Sequence, residues 1–187
     1  MSNDSTAKSS KKSGGLRNIV AAQSSMSSVN GEKGILIYQG YDVHTLAENS
    51  TFEETVFLLW NGRMPKQDEL DALKSEFRAN YEIPAEIITS MKSFPKDAQP
   101  MDVLRTAVST LAFYDDESHK TDVESARKTA TRLTAKFPTI VAAWERIRNG
   151  NEPVAPDATM DIAENFLASL LLSIRRPFRS GDYIDVS

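Results

Sequence analysis

The stretch from Asn30 to Gly62 constrains the fold most, because it changes from a strand pattern to a helix pattern. Thr51 and Glu54 form a capping box, in which each side chain accepts a hydrogen bond from a backbone N–H at the start of a helix. Gly62 stands where helices commonly end in a left-handed residue. These signals predict a helix over residues 52–61, with an apolar stripe at Phe52, Val56 and Leu59 that Leu58 widens.

The residues before this helix predict a β-hairpin. Asn30-Gly31 is a turn pair, since both residues tolerate the positive φ of a tight turn. The apolar run Ile35-Leu36-Ile37 follows as a strand. We expect residues 24–29 to pair with residues 34–38, and a loop of three or four residues is an equal alternative. Residues 19–22 predict an earlier short strand or an extended entry.

Capping and proline signals predict that the rest of the chain is helical. We expect a second helix from Pro65, a short third from Pro84, a fourth over about 100–114, a fifth over about 122–148 and a sixth from about Asp157. Pro138 lies inside the fifth helix, so a kink is expected near Lys136. The predicted core residues are Leu70, Leu73, Phe77 and Tyr81, then Ile87, Ile88 and Met91, then Met101, Leu104, Val108 and Leu111.

Composition indicates one domain with a real core. The 187 residues are 40% hydrophobic and 26% charged, with a net charge of −4. The acidic balance argues against a nucleic-acid partner, and the absence of cysteine excludes disulfides and cysteine chemistry. We expect a cytoplasmic protein. Residues 1–14 are Ser- and Lys-rich and predict a disordered leader, which Asp4 favours over a transit peptide.

Several blocks in fixed order resemble the citrate synthase family, which includes the 2-methylcitrate synthases. The resemblance covers about residues 15–167 and implies a mainly α fold, the N-terminal part of the family's large helical domain, with a small N-terminal β-hairpin. It leaves citrate synthase and 2-methylcitrate synthase both open. The blocks that carry it are Gly31 to Leu36, Tyr38 to Asp42, Ser50 to Glu54, Leu58 to Gly62, Pro100 to Ser109 and Ala163 to Leu167.

The resemblance also implies what a complete relative does. Such an enzyme condenses an acyl-CoA, acetyl-CoA or propionyl-CoA, with oxaloacetate, using an Asp base, two His residues and carboxylate-binding Arg residues. These groups lie in the later part of a chain about twice as long. The resemblance further implies a homodimer in which the helices at about 100–114 and 122–148 pack against their twins. We therefore expect acyl-CoA and oxaloacetate as partners only in a full-length parent.

No residue of this chain is assigned a catalytic, cofactor-binding or metal-binding role, and no cofactor is expected. His44 and His119 match no catalytic motif of the family, and each is interpreted as a surface side chain. The acidic run 115–117 offers carboxylates of the kind that bind Mg²⁺ or Ca²⁺, but without glycine at ligand spacing it is interpreted as a solvated loop. Arg105 is expected to pair at a helix contact, with an acid-binding role as the alternative.

Residues 168–187 depart from the family pattern. Residues 176–184 resemble a short passage of small-conductance mechanosensitive channels, so we expect an unrelated tail and a chimeric chain. The apolar run 166–174 is shorter than the roughly 20 residues that cross a bilayer, so no membrane span is expected. Three hypotheses follow: a citrate synthase-like fragment that is inactive alone, a non-catalytic helical dimerisation module, and a membrane-associated channel fragment.

Overall fold

The computed structural model describes residues 24–171 of the chain. The predicted leader 1–14, the predicted entry strand at 19–22 and the channel-like residues 176–184 lie outside the described residues. Within them, a small antiparallel sheet precedes a mainly helical body, which confirms the expected fold class. No helix in the described part of the chain is long and apolar enough to cross a membrane.

The sheet has three strands in the order β1-β2-β3: Ser27–Asn30, Ile35–Tyr38 and Tyr41–Asp42. Asn30 pairs with Ile35, so the first loop has four residues, one of the two alternatives to a tight turn. The Asn30 side chain accepts a hydrogen bond from the Lys33 N–H at 3.0 Å, which closes this loop. The two-residue turn instead lies at 39–40, where both φ angles are positive, and it adds the unpredicted third strand.

Two helices follow the sheet: α1 over Val43–Asn49, which was not predicted, and α2 over Phe52–Asn61. The α2 prediction is confirmed in bounds, capping box and C-terminal Gly62, whose φ is +71°. The predicted stripe was wrong in phase, because Phe52 is 49% exposed while Glu53 is buried with Phe57 and Leu58. The buried face of α2 differs from the predicted stripe because α2 packs against both α3 (Gln67–Arg78) and the last helix of the described chain.

The next three helices are α3, α4 (Ala85–Lys92) and α5 (Pro100–Leu111), and α5 continues into a 3-10 turn at Ala112–Tyr114. The prediction that Pro65 is the first residue of α3 was wrong. The Glu69 carboxylate accepts the Lys66 N–H at 2.9 Å, so Lys66 is the N-cap residue. The predicted core residues Leu70, Leu73 and Phe77 of α3 are buried, as is Tyr81 just beyond it. On α5 the predicted stripe was wrong in phase, because Met101 is 71% exposed and Leu104 and Val108 are half-buried, while Val103 and Ala107 are buried.

The long helix α6 spans Val123–Arg148, close to the predicted 122–148, and it contains Pro138. Asp122 is its N-cap residue. The kink near Lys136 stays a prediction. The last helix, α7, spans Ile162–Leu171, so the predicted start near Asp157 was wrong. The Asp157 carboxylate accepts the Thr159 N–H at 2.8 Å, which forms a turn before the helix begins. The helix α7 is continuous across residues 167–168. The expected change there from a family-like domain to an unrelated tail stays a prediction.

The helical body is built around two apolar clusters that share α6. One cluster lies between α4, α5 and α6, with Met91, Ile140 and Trp144 among its members. The other lies between α2, α3, α6 and α7, and its members are Phe57, Leu73, Phe77, Tyr81, Ala135 and Ile162. The long helix α6 therefore contributes buried residues to both clusters.

Candidate functional site

Arg132 of α6 organises the loop between α5 and α6. Its Nε and Nη2 donate to the two carboxylate oxygens of Asp115 at 3.0 and 2.8 Å, and its Nη1 donates to Glu117 at 3.1 Å. Lys120 also donates to Glu117 at 3.2 Å, and these hydrogen bonds lower the pKa of Glu117. The carboxylates of Asp115 and Glu117, considered above as metal ligands, are therefore neutralised by cations of the chain itself.

Beside this loop lies a groove of about 300 Å³. Its walls are formed by α6, by the end of α5 and by residues 82–84, which precede α4. Tyr114, Arg132 and Lys136 contribute polar groups. Lys136 donates through Nζ to the backbone oxygens of Asn80 at 2.9 Å and Glu82 at 2.5 Å. Burial, together with the charge of Arg132, lowers the pKa of Lys136. Both cations of the groove thus already have partners within the chain.

A second charged cluster lies where α7 begins. Asp161 accepts hydrogen bonds from Lys74 at 2.9 Å and Arg78 at 2.7 Å, both on α3. Partial burial opposes the charge of Asp161, but the bonds from the two cations outweigh it and lower the pKa of Asp161. Glu53 of α2, only 2% exposed, accepts the Ile162 N–H at 3.0 Å. This cluster was missed by sequence reasoning, because its members are far apart along the chain.

Tyr81, in the segment between α3 and α4, joins the same cluster. Its hydroxyl donates to the backbone oxygen of Met160 at 3.2 Å, and its ring lies in the second apolar cluster. Burial, reinforced by the negative charges of Glu53 and Asp161, raises the pKa of Tyr81 to about 12. The hydroxyl is therefore a hydrogen-bond donor across the neutral pH range.

The two histidines do not belong to any of these clusters. His44 lies exposed in the first turn of α1, where its backbone N–H donates to the Asp42 side chain at 2.9 Å. His119 lies exposed in the loop before α6. Across residues 24–171, no group of three or more His, Asp or Glu side chains is placed to hold a metal ion. The two histidines lie on separate surface segments, one in α1 and one in the α5–α6 loop.

Arg105 pairs inside its own helix. Its Nη2 donates to Asp102 at 2.9 Å, three residues earlier in α5, and both side chains are well exposed. The prediction that Arg105 pairs at a contact between helices was therefore wrong. The exposed face of α5 leaves its charge in solvent, where local pairing is the available interaction.

A third surface, in contrast to the two charged clusters, is apolar, and it is formed by large exposed side chains of α5 and α6. Phe113 and Val123, at 85% and 86%, are almost fully exposed. Val123, Phe137 and Val141 recur at helical spacing along one side of α6, with the small residues Ala130 and Thr134 between them. We call Val123, Ala130, Thr134, Phe137 and Val141 the α6 stripe. A stripe of this composition allows close approach of another apolar surface.

Comparison with known proteins identifies the architecture. The model of the citrate synthase C-terminal domain family matches residues 15–178. Citrate synthase 2 of Bacillus subtilis is 44% identical over 157 residues, which cover 83% of this chain and 42% of that protein. 2-Methylcitrate synthase 2 of Corynebacterium glutamicum is 39% identical over 154 residues, which cover 82% of this chain and 40% of that protein.

A solved structure agrees with these relatives. The crystal structure of citrate synthase from Pyrobaculum aerophilum is similar with a TM-score of 0.78 at 30% identity, over 89% of this chain and 43% of that one. The chain spans about two fifths of the length of the curated relatives it matches. The resemblance predicted from the sequence blocks is confirmed, and this chain belongs to the citrate synthase family.

Proposed function

We propose that this chain supplies part of the helical scaffold of a citrate synthase-type acyltransferase, and that the 187-residue chain does not by itself condense an acyl-CoA with oxaloacetate. The names of its relatives support the reaction, which is the condensation of acetyl-CoA or propionyl-CoA with oxaloacetate. The family membership and the shared fold of residues 24–171 support the role as scaffold. The positions of the two histidines and of the paired carboxylates support the absence of turnover.

The separation of the two histidines is the observation that carries the second half of this proposal. General acid–base catalysis needs a group held within about 3 Å of the proton that moves. His44 and His119 lie exposed on separate surface segments. The best-placed carboxylates, Asp115 and Asp161, are each bound by an arginine. Partial burial opposes the charge of Asp161, but the hydrogen bonds from Lys74 and Arg78 lower its pKa, so this carboxylate is a weaker base.

A thiol-release assay tests the proposal. The purified 187-residue chain is mixed with oxaloacetate and either acetyl-CoA or propionyl-CoA, and free CoA is measured over time. We expect no release above the blank, while citrate synthase 2 of Bacillus subtilis serves as the active control. Release that requires both substrates and increases with the amount of chain would overturn the claim that the chain is inactive alone.

We also propose that α5 and α6 form a homodimer contact, which would make the chain a dimerisation module whether or not it turns over substrate. The specific observation is the α6 stripe together with the exposed Met101 and Phe113. Apolar surface left in water favours association, at roughly 25 cal/mol for each Å² removed from solvent. The small residues of the stripe allow a second helix to approach closely.

Light scattering coupled to gel filtration tests this contact. The unmodified chain is expected to run as a dimer at micromolar concentration. Val141→Arg, which puts a charge into the α6 stripe, is expected to shift it to monomer. Thr89→Arg on the exposed side of α4 is the matched control and should leave the dimer intact. A monomeric unmodified chain, or equal effects of the two variants, would contradict the proposed contact.

A further inference from the structure

We propose that α7 and the turn before it, residues 157–171, form a strap that detaches from the helical body as one unit, and that Asp161 is the latch that holds it. This inference is independent of the proposed catalytic and dimer roles. It rests on where the bonds to the rest of the molecule are concentrated and on how the strap is held together internally.

The bonds that anchor the strap are confined to three consecutive residues. The Met160 backbone oxygen accepts from Tyr81, the Asp161 carboxylate accepts from Lys74 and Arg78, and the Ile162 N–H donates to Glu53. The Ile162 side chain, 4% exposed, packs in the second apolar cluster. Among the described residues, no other side-chain hydrogen bond or ion pair joins the strap to α2, α3 or α6.

Beyond Ile162, α7 packs along α6 through small and polar side chains. Its buried side chains beyond Ile162 are polar, since Asn165 and Ser169 are both 6% exposed. Its large apolar residues Phe166, Leu167 and Leu170 are only half-buried. Apolar burial is the main source of docking free energy, so a helix that turns polar groups inward and leaves apolar groups partly in water relies more on its anchor.

The strap keeps its own structure when the anchor opens. The Asn165 side chain accepts the Asp157 N–H at 2.8 Å and donates to the Asp157 backbone oxygen at 2.5 Å. The Asp161 N–H donates to Glu164 at 3.2 Å, inside the first turn of α7. These bonds are internal to residues 157–171 and are not broken by detachment. Opening therefore breaks the anchor and the α6–α7 packing but leaves the internal bonds of the strap intact, as expected for a separate unfolding unit.

The latch is assigned to Asp161 because its charge connects two cations at once. Lys74 and Arg78 both point at this carboxylate, and Glu53 is the other acidic side chain of the anchor. In addition, Arg78 Nε is buried without a hydrogen-bond partner among the described residues. Loss of the Asp161 charge leaves two partly buried ammonium and guanidinium groups without their counter-ion, which favours the open strap over the docked one.

Hydrogen exchange followed by mass spectrometry tests the strap on the full chain. Asp161→Asn is compared with the unmodified chain, and peptides from α7 are compared with peptides from α5. We expect α7 amides to exchange about 10 to 100 times faster in the variant, since hydrogen bonds to charged groups are lost, while α5 amides keep their rate. Asp71→Asn on α3, an exposed carboxylate bound within residues 24–171 only to Gln67, is the matched control and should change neither.

Two results would overturn the proposal. If α5 and α7 amides accelerate together in Asp161→Asn, α7 opens only with the whole domain. If α7 exchange is unchanged, Asp161 is not its latch. Lys74→Gln removes one of the two cations and serves as a milder variant should Asp161→Asn not fold. It is expected to give a smaller acceleration of exchange confined to α7. If α5 and α7 amides accelerate equally in Lys74→Gln, the strap is likewise rejected.

Discussion

Replacing Phe77 by alanine tests the core assignment most directly. Phe77 lies on α3, is fully buried, and packs edge-on against Trp60 of α2 with ring centroids 6.4 Å apart. Truncation leaves a cavity inside the second apolar cluster, between α2, α3, α6 and α7. Phe52→Ala is the matched comparison, because it removes the same atoms from a side chain that is half exposed and that sequence pattern alone assigns to the core.

The two truncations should differ several-fold in cost. Phe→Ala in a packed core costs about 3 to 5 kcal/mol, which includes the cavity. Full burial of a Phe side chain contributes about 1.5 to 3 kcal/mol, so the half-buried Phe52 contributes about 1 kcal/mol. The better helix propensity of alanine offsets roughly 0.5 kcal/mol of that. For a chain of this size, about 2 to 4 °C of Tm corresponds to each kcal/mol.

Urea unfolding monitored by circular dichroism measures both variants against the unmodified chain. We expect Phe77→Ala to lower the free energy of unfolding by about 3 to 5 kcal/mol and Phe52→Ala by about 1 kcal/mol or less. Should Phe77→Ala be largely unfolded, Phe77→Leu gives a smaller loss at the same site. Equal losses, or a larger one for Phe52→Ala, would refute the orientation of α2 and α3 described here.

Three further predictions follow from single sites. Gly62→Ala should cost about 1 to 2 kcal/mol because φ is +71° there, while no clash adds to this cost, since the new Cβ meets nothing closer than 3.9 Å. Gly31 is not at positive φ and has no atom within 4 Å of a new Cβ, so Gly31→Ala should be neutral in the same urea measurement. Arg132→Gln should destabilise by about 1 to 3 kcal/mol and speed proteolysis of the loop at 115–122, whereas Arg105→Gln should do neither, and equal proteolysis of both would contradict the Arg132 cluster. Hydrogen bonds from Arg63 and from the Lys66 N–H lower the pKa of Glu69 from 4.5 to about 2, so its stabilising contribution is present above pH 4.5 and is lost as the pH falls through about 2. An NMR titration should show the Glu69 pKa rising in Arg63→Gln, and an unchanged pKa would rule out that pair.

Local signals predicted the features that are made within one turn of helix. The capping box of Thr51 and Glu54 is present with the Thr51 N–H donating to Glu54 at 2.6 Å. Asp122 begins α6 because its carboxylate accepts the Ser125 N–H three residues on. Pro100 occupies the first turn of α5. In each case donor and acceptor are neighbours along the chain, so the residue pattern alone specifies the geometry.

The faces of the helices could not be predicted as well. Met101 and Phe52 satisfy an apolar periodicity, yet they are exposed because the partner helices lie on a different side. Several apolar residues on α2 and α5 allow more than one phase of the stripe. The phase that is buried depends on which helices pack nearby. The residue pattern of one helix does not contain that information.

The sequence by itself determined that this chain is a mainly helical member of the citrate synthase family and where most of its helices lie. Only the tertiary structure decided which charges meet. Glu53 meets the Ile162 N–H across 109 positions, and Arg78 meets Asp161 across 83. Helix signals act between residues a few positions apart, whereas these contacts exist only after α2, α3 and α7 have packed, so their partners become visible only in the fold.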